Sequence, residues 1–158
     1  MGAHYKAYYQ SPIGHIEISG TKGGVVSLDF MDKAHEDDSR NPSCLEESIR
    51  QLDLYFKGKL KDFSVTLEPH GTHFQQRVWS QLRKIPFGET RSYAEIAALL
   101  GNPQANRAVG NATGKNNIAI MIPCHRVIGS DGHLTGYASG LWRKEWLLNH
   151  ERDVLSGK

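Results

Sequence analysis

The chain has two cysteines in 158 residues, Cys44 and Cys124, and they sit in unrelated contexts. That is too few for a disulfide framework. Cys-x-x-Cys and His-Glu-x-x-His are both missing, and the eight histidines are scattered. No metal site and no cofactor are therefore expected. No apolar run approaches membrane-spanning length, and no basic-then-apolar leader opens the chain at Met1-Gly2-Ala3-His4. These absences point away from membranes and toward a cytoplasmic, reducing interior, where a reactive thiol survives. The length suffices for one good core or for two small domains.

A net charge of +2 conceals an asymmetry. Residues 1–70 carry 8 Lys/Arg against 11 Asp/Glu, residues 71–128 carry 7 against 2, and residues 129–158 carry 4 against 4. A cationic middle segment suits a polyanion, because cationic side chains displace the counterions condensed on phosphates. Chance distribution over solvated faces accounts for the same numbers, so charge suggests nucleic acid without establishing it.

What the chain does have is the run Ile122-Pro123-Cys124-His125-Arg126-Val127. A base beside cysteine can hold it as thiolate, the form that attacks carbon. The preceding segment, 117–122, is apolar, and the pair is expected where a buried strand ends. Cys44, by contrast, is expected to be a small first-turn helix residue.

The pattern predicts an α/β (α+β) fold in two parts, 1–68 and 69–158. In the first, Ile16 and Ile18, and then Val26, Leu28 and Phe30, alternate with polar residues at strand period, with turns at 11–14 and 20–24. A polar loop over 32–41 follows. Ser43 and Glu46 match a capping box for a helix with Leu45, Ile49, Leu52 and Phe56 on its inner face, ended by Gly58. The linker 66–71 marks the boundary.

Three helices then follow closely. Thr72 caps the first with Gln75, over a stripe of Phe74, Val78 and Leu82. Ser92 caps the second with Glu95, with Ile96, Leu99 and Leu100 facing inward. Asn102 caps the third, which runs from Ala105 to Thr113 with Pro103 at its first position. Two short helices on a Gly-containing turn make a helix-turn-helix, often a purely structural device. Here Ala105, Ala108, Gly110 and Ala112 leave the third helix almost without bulk, while Asn106 and Asn111 are polar and Arg107 is its long cation. Such a helix can press into a narrow groove with one arginine reaching the base stack. A Gly-rich loop, 129–140, precedes a last helix bearing Leu141, Trp142, Trp146, Leu147 and Leu148. Glu151 shares the face of Leu147 and Leu148. A carboxylate there needs a partner, with His125 the candidate, but spacing alone favours a frayed surface position.

Taken together, these residues resemble the O6-alkylguanine-DNA alkyltransferase family, in its short microbial form. The matching stretches include Gly71-Thr72, Phe74-Gln75 and Val78-Trp79; Gly88, Thr90 and Ser92-Tyr93; Gly101-Asn102-Pro103; Arg107-Ala108-Val109-Gly110; Asn116; Ile122 to Val127; and Gly136-Tyr137-Ala138 through Lys144-Glu145-Trp146-Leu147-Leu148 to His150-Glu151. They span residues 70–151. The first part matches only in shape, as the family's ribonuclease-H-like domain, and the second as a winged helix-turn-helix domain.

The resemblance implies a direct-reversal repair protein. It moves an alkyl group from O6 of guanine, with O4 of thymine as a second donor position, onto Cys124, and each molecule acts once. His125, acting through a water, would take the thiol proton, and Glu151 would orient and stabilise the imidazolium. Asn116 would order the turn carrying the thiol. Tyr93 would give a proton or hydrogen bond to the guanine ring nitrogen. Tyr137 would form a pocket wall, the backbone N–H of Ala138 would contact O6, and the carbonyls of Cys124 and Val127 would accept from the exocyclic amine. Arg107 would fill the gap left by the flipped nucleotide, with Ala105, Asn106, Ala108, Gly110, Thr72 and Gln75 also on the DNA side. Asn106 stands where relatives often have alanine, Ala138 where some have serine, and Ser139 where glycine is common, which narrows the pocket. Double-stranded DNA carrying the lesion is the implied partner, bound by a monomer that can cluster along the duplex. The rival is a non-transferring alkyl-lesion recognition protein, which in that subfamily carries tryptophan at the cysteine position.

Overall fold

The computed structural model describes residues 4–32 and 42–157. They form two compact units, 1–70 and 71–158. The polar stretch 32–41 lies, beyond Asp32, outside the described residues.

The first unit is an antiparallel meander, β1 (Tyr5–Ser11), β2 (Gly14–Thr21) and β3 (Gly24–Met31), covered by helix α1 (Ser43–Phe56). Ile16, Ile18, Leu28, Leu45, Leu52 and Tyr55 are sealed from water between sheet and helix. Burying each such aliphatic side chain stabilises the fold by roughly 1.5–3 kcal/mol. The period-two reading of β3 slips by one residue. Ser19 pairs with Ser27 but Gly20 pairs with Val25, so Val26 is the extra residue of a β-bulge and the inward position passes to the buried Val25. The linker contributes to the sheet too. Val25 N–H donates to Thr66 O at 2.9 Å and Glu68 N–H donates to Val25 O at 2.7 Å, a short parallel bridge that lies outside any strand-like run in the sequence.

The expected Ser43–Glu46 capping box does not form. Pro42 occupies the N-cap with no side-chain cap bond, which leaves Ser43 inside the first turn. On the inner face of α1, Ser48 and Gln51 are buried where Ile49 was expected. Gln51 is satisfied there by Ser64, accepting from its N–H at 2.9 Å and donating to its hydroxyl at 2.8 Å.

In the second unit, α2 (His73–Leu82) and α3 (Tyr93–Leu99) both begin with complete capping boxes, Thr72 with Gln75 and Ser92 with Glu95. Helix α4 (Asn106–Gly114) starts later than its sequence suggests, with Ala105 at the N-cap and no side-chain cap. Asn102 instead folds the preceding turn, accepting from Gln104 N at 3.2 Å and, through its carbonyl, from Ala105 N at 3.0 Å. Trp79 Nε1 donates to Ala112 O at 2.8 Å inside the core, tying α2 to α4. Leu99 is 61% exposed and belongs to solvent, because the inward face of α3 is carried by Ile96 and Ala97. Strands β4 (Arg91–Ser92) and β5 (Val127–Ile128) pair in parallel, Arg91 with Val127 and Ser92 with Ile128. The chain ends in α5 (Leu141–Ser156). Among the described residues no helix is long and apolar enough to cross a membrane.

Candidate active site

Segment 118–122 is buried, with Asn117 exposed before it, but it is not a strand. It is a chain of tight turns, with Met121 N–H donating to Ala119 O at 2.8 Å and Ile122 N–H to Ile118 O at 3.0 Å. Ile120 adopts φ +71°, a left-handed conformation that a β-branched residue reaches only under strain. Asn116 holds these turns from both sides: its Nδ2 donates to Ile122 O at 2.9 Å and its Oδ1 accepts from Ile118 N at 3.0 Å. The turns deliver Cys124 to the first position of a one-turn 3-10 helix, Cys124–Arg126. The apolar run misleads because burial without period two suits a packed turn as well as a strand.

Helix α5 brings the other half. Lys144, Leu147, Leu148 and Glu151 recur at helical spacing and are its buried residues, while Leu141 and Trp142 are exposed. Glu151 is therefore not at a frayed surface; it is fully buried. His125 Nε2 lies 2.7 Å from Glu151 Oε2. Arg126 clamps the same carboxylate bidentately, Nε to Oε1 at 2.8 Å and Nη2 to Oε2 at 2.9 Å, and spends Nη1 on Ile85 O at 2.8 Å. Gly88, at φ +83°, adds its N–H to Oε1 at 3.0 Å.

These contacts fix protonation states. Burial alone would raise the Glu151 pKa, but the hydrogen bonds and charges of His125 and Arg126 outweigh it and hold the carboxyl well below its ordinary range. An ionised carboxylate only accepts, so His125 carries its proton on Nε2. Burial, helped by the Arg126 and Lys144 charges, lowers the His125 pKa against the pull of Glu151, and the ring is neutral. Its Nδ1 is buried and, among the described residues, has no partner, which leaves a free lone pair on the residue next to the thiol. Burial pushes the Cys124 thiol up, opposed by a hydrogen bond from Asn116 and the charge of Lys144. The resting sulfur is thus protonated, rather than the pre-formed thiolate that an adjacent base suggests.

Around the thiol, the Tyr137 hydroxyl is buried without a partner among the described residues, and burial with the nearby Cys124 charge raises its pKa well above the ordinary value. Ala138 is exposed, and Ser139 gives its carbonyl to Arg143 Nη1 at 2.8 Å. Val127, in β5, is fully buried. Tyr93 opens α3, its ring beside Gly110 of α4. On α4, Asn106, Arg107, Ala108 and Asn111 are exposed, while Val109, Ala112 and Thr113 face the core. Ala105 and Gly110 are half-buried beneath that face, and Thr72 and Gln75 are engaged with each other at the head of α2.

Sequence reasoning missed Arg126, Gly88 and Lys144. Arg126 lies inside the Cys-His run itself, and a buried carboxylate near a helix C-terminus needs more than a neutral imidazole to balance it. Lys144 carried a signal, being one more charge on the inward stripe of α5. It is fully buried, forms no ion pair among the described residues, and its Nζ donates to Thr135 O at 2.7 Å. Burial lowers its pKa to about 8, with the Cys124 charge opposing. Among the described residues no group of His, Cys, Asp and Glu side chains could hold a metal ion.

Known proteins share the sequence and fold of this chain. Residues 73–153 match the family model described as 6-O-methylguanine DNA methyltransferase, DNA binding domain. Residues 4–69 match the same family's ribonuclease-like domain. The chain is 52% identical over 152 residues to a methylated-DNA–protein-cysteine methyltransferase of Methanosarcina acetivorans, covering 93% of this chain and 97% of that one. It superposes on the crystal structure of Mycobacterium tuberculosis O6-methylguanine methyltransferase with TM-score 0.86 at 44% identity, over 96% of this chain and 94% of that one. The structure of that organism's protein in complex with DNA gives TM-score 0.85 at 45% identity, over 93% and 92% of the two chains.

Proposed function

This chain belongs to the O6-alkylguanine-DNA alkyltransferase family, and we propose that it repairs DNA by moving an alkyl group from O6 of guanine to Cys124, with O4 of thymine a second donor position. The observation that carries the reading is the unpartnered Nδ1 of His125. A buried lone pair costs free energy unless something uses it, and the sulfur of the adjacent residue needs a base.

His125 Nδ1 takes the Cys124 proton through a bridging water, and Glu151 compensates the imidazolium that results. The thiolate attacks the alkyl carbon from behind. The C–O6 bond breaks, its electron pair stays with guanine, and a C–S bond forms. Tyr93 gives a proton to the ring nitrogen, which makes guanine a better leaving group; His125 returns the thiol's proton to the medium, and Tyr93 regains one from it. The net change moves one hydrogen from sulfur to guanine and one alkyl group from oxygen to sulfur. A thioether has no route back, so each molecule acts once.

Residues 71–158 carry both the chemistry and the DNA contacts. The target base must leave the stack, because O6 is inaccessible inside a duplex. Exposed Arg107 fills the vacated space, and the slender face of Ala105, Asn106, Ala108 and Gly110 lets α4 approach the minor groove. Thr72 and Gln75 lie with the flanking phosphate contacts. Tyr137, Ala138, Ser139 and Val127 line the base pocket. The protein works as a monomer that can cluster on the duplex, in the reducing compartment that keeps Cys124 a thiol.

Mass spectrometry tests this. After incubation with a duplex bearing one O6-methylguanine, intact protein gains a single methylene, mapped to the Cys124 peptide and saturating at one per chain. Tight binding with no mass change would instead make the protein a recognition module.

A further inference from the structure

Thr135 touches two functional elements at once. Its hydroxyl donates to Tyr93 Oη at 2.8 Å, and its carbonyl accepts from Lys144 Nζ at 2.7 Å. Thr135 itself is exposed, so apolar packing does not account for its place. It lies in the Gly-rich loop two residues before Tyr137, and Lys144 is the buried cation of α5.

The direction of the first bond has chemical content. A phenol has one proton and two acceptor lone pairs. With Thr135 donating into the oxygen, the Tyr93 proton remains free for another acceptor. The same bond stabilises the negative charge that grows on that oxygen as its proton departs. Lys144 holds Thr135 by its backbone carbonyl, which anchors the residue whose hydroxyl meets the phenol.

On the reading that Tyr93 protonates the leaving base, we infer that Thr135 is the positioning residue that keeps the Tyr93 proton aimed at the guanine ring nitrogen and supports it as a donor. Thr135 touches neither sulfur nor alkyl carbon and acts through the phenol alone. Its hydroxyl should matter when the leaving group needs a proton and not when it does not.

Two electrophiles separate these cases on the full-length protein: duplex O6-methylguanine, whose departure needs protonation, and iodoacetamide, whose iodide leaves unaided. Both are followed on the Cys124 peptide, which keeps Cys44 out of the readout. Thr135→Val, close in shape, is expected to slow methyl transfer about five-fold, from the net worth of one neutral hydrogen bond. Carbamidomethylation of Cys124 should stay unchanged, and Thr135→Ser should restore transfer. In a Tyr93→Phe background, Thr135→Val should cost nothing further. Equal slowing of both electrophiles, undiminished slowing in the Tyr93→Phe background, or no slowing at all would overturn the inference. If Tyr93→Phe alone leaves methyl transfer intact, the role of Tyr93 fails and this inference with it. If the unmodified protein transfers no methyl group, the proposed function fails first.

Discussion

Arg126 and Glu151 face each other across the active site as a bidentate pair, at 2.8 and 2.9 Å, shut off from water. Neither can be removed alone without stranding the other's charge in a dry interior. The pair stabilises less through its attraction than through the penalty for breaking it.

Arg126→Leu is accordingly expected to destabilise the fold by about 3–5 kcal/mol, the usual cost of orphaning a buried charge. It should also release Glu151 toward the ordinary carboxylate range. Urea denaturation of the variant and its parent measures the first effect. A loss under about 1 kcal/mol, the size of an exposed pair, would show that water reaches this site.

Acid should weaken the protein in two stages. His125 has a folded pKa below its ordinary 6.5. As pH falls through 6.5 the unfolded chain binds a proton there that the folded chain refuses, so this contribution is present above 6.5 and lost below it. Glu151, lowered from 4.5, adds a second loss once pH falls below that value. His125→Gln should flatten the first stage and leave the second. A parent whose stability does not change from about pH 7.5 to about pH 5 would contradict a neutral buried His125.

The sequence was legible where structure is local. Both capping boxes at Thr72 and Ser92 formed, because a cap depends on three or four neighbouring residues. Ser43 and Glu46 had the same pattern and failed, since the chain entered the helix one residue earlier, at Pro42. Val26 lost its inward place to a bulge that depends on how β2 pairs. Long-range facts were the least readable: the burial of Glu151 is decided by Arg126, 25 residues away, and spacing along α5 alone does not reveal it. The resemblance named Cys124, His125 and Glu151 together, but the proton positions among them follow from which partner each ring and carboxylate atom meets in the fold.

Cys124→Ser should retain DNA binding and lose methyl transfer. Serine keeps the shape, yet its hydroxyl is a far weaker nucleophile than a thiol. Gel shift and peptide mass spectrometry read the two halves separately. Transfer persisting in this variant would locate the acceptor elsewhere.

Arg107→Ala separates extrusion from chemistry. Repair of a duplex should fall by about tenfold or more, consistent with losing one contact worth about 1.4 kcal/mol. Reaction with free O6-benzylguanine, already outside any stack, should continue. Equal loss on both would assign Arg107 to the fold or the chemistry. Binding of the parent to duplex should weaken as salt rises, since phosphate contacts release counterions.

The two-residue ladder between β4 and β5 has a consequence out of proportion to its length. β4 runs straight into Tyr93, and β5 runs straight out of the turn that begins at Cys124. The spacing of the backbone positions that carry phenol and sulfur is therefore gauged by main chain. A slip of one residue would move one against the other by about 3.3 Å and turn every side chain over. On the proposed roles of Tyr93 and Cys124, that gauge sets the span from ring nitrogen to substituted oxygen that a base must present. Side-chain changes can widen the pocket for larger alkyl groups, but they cannot recalibrate the gauge.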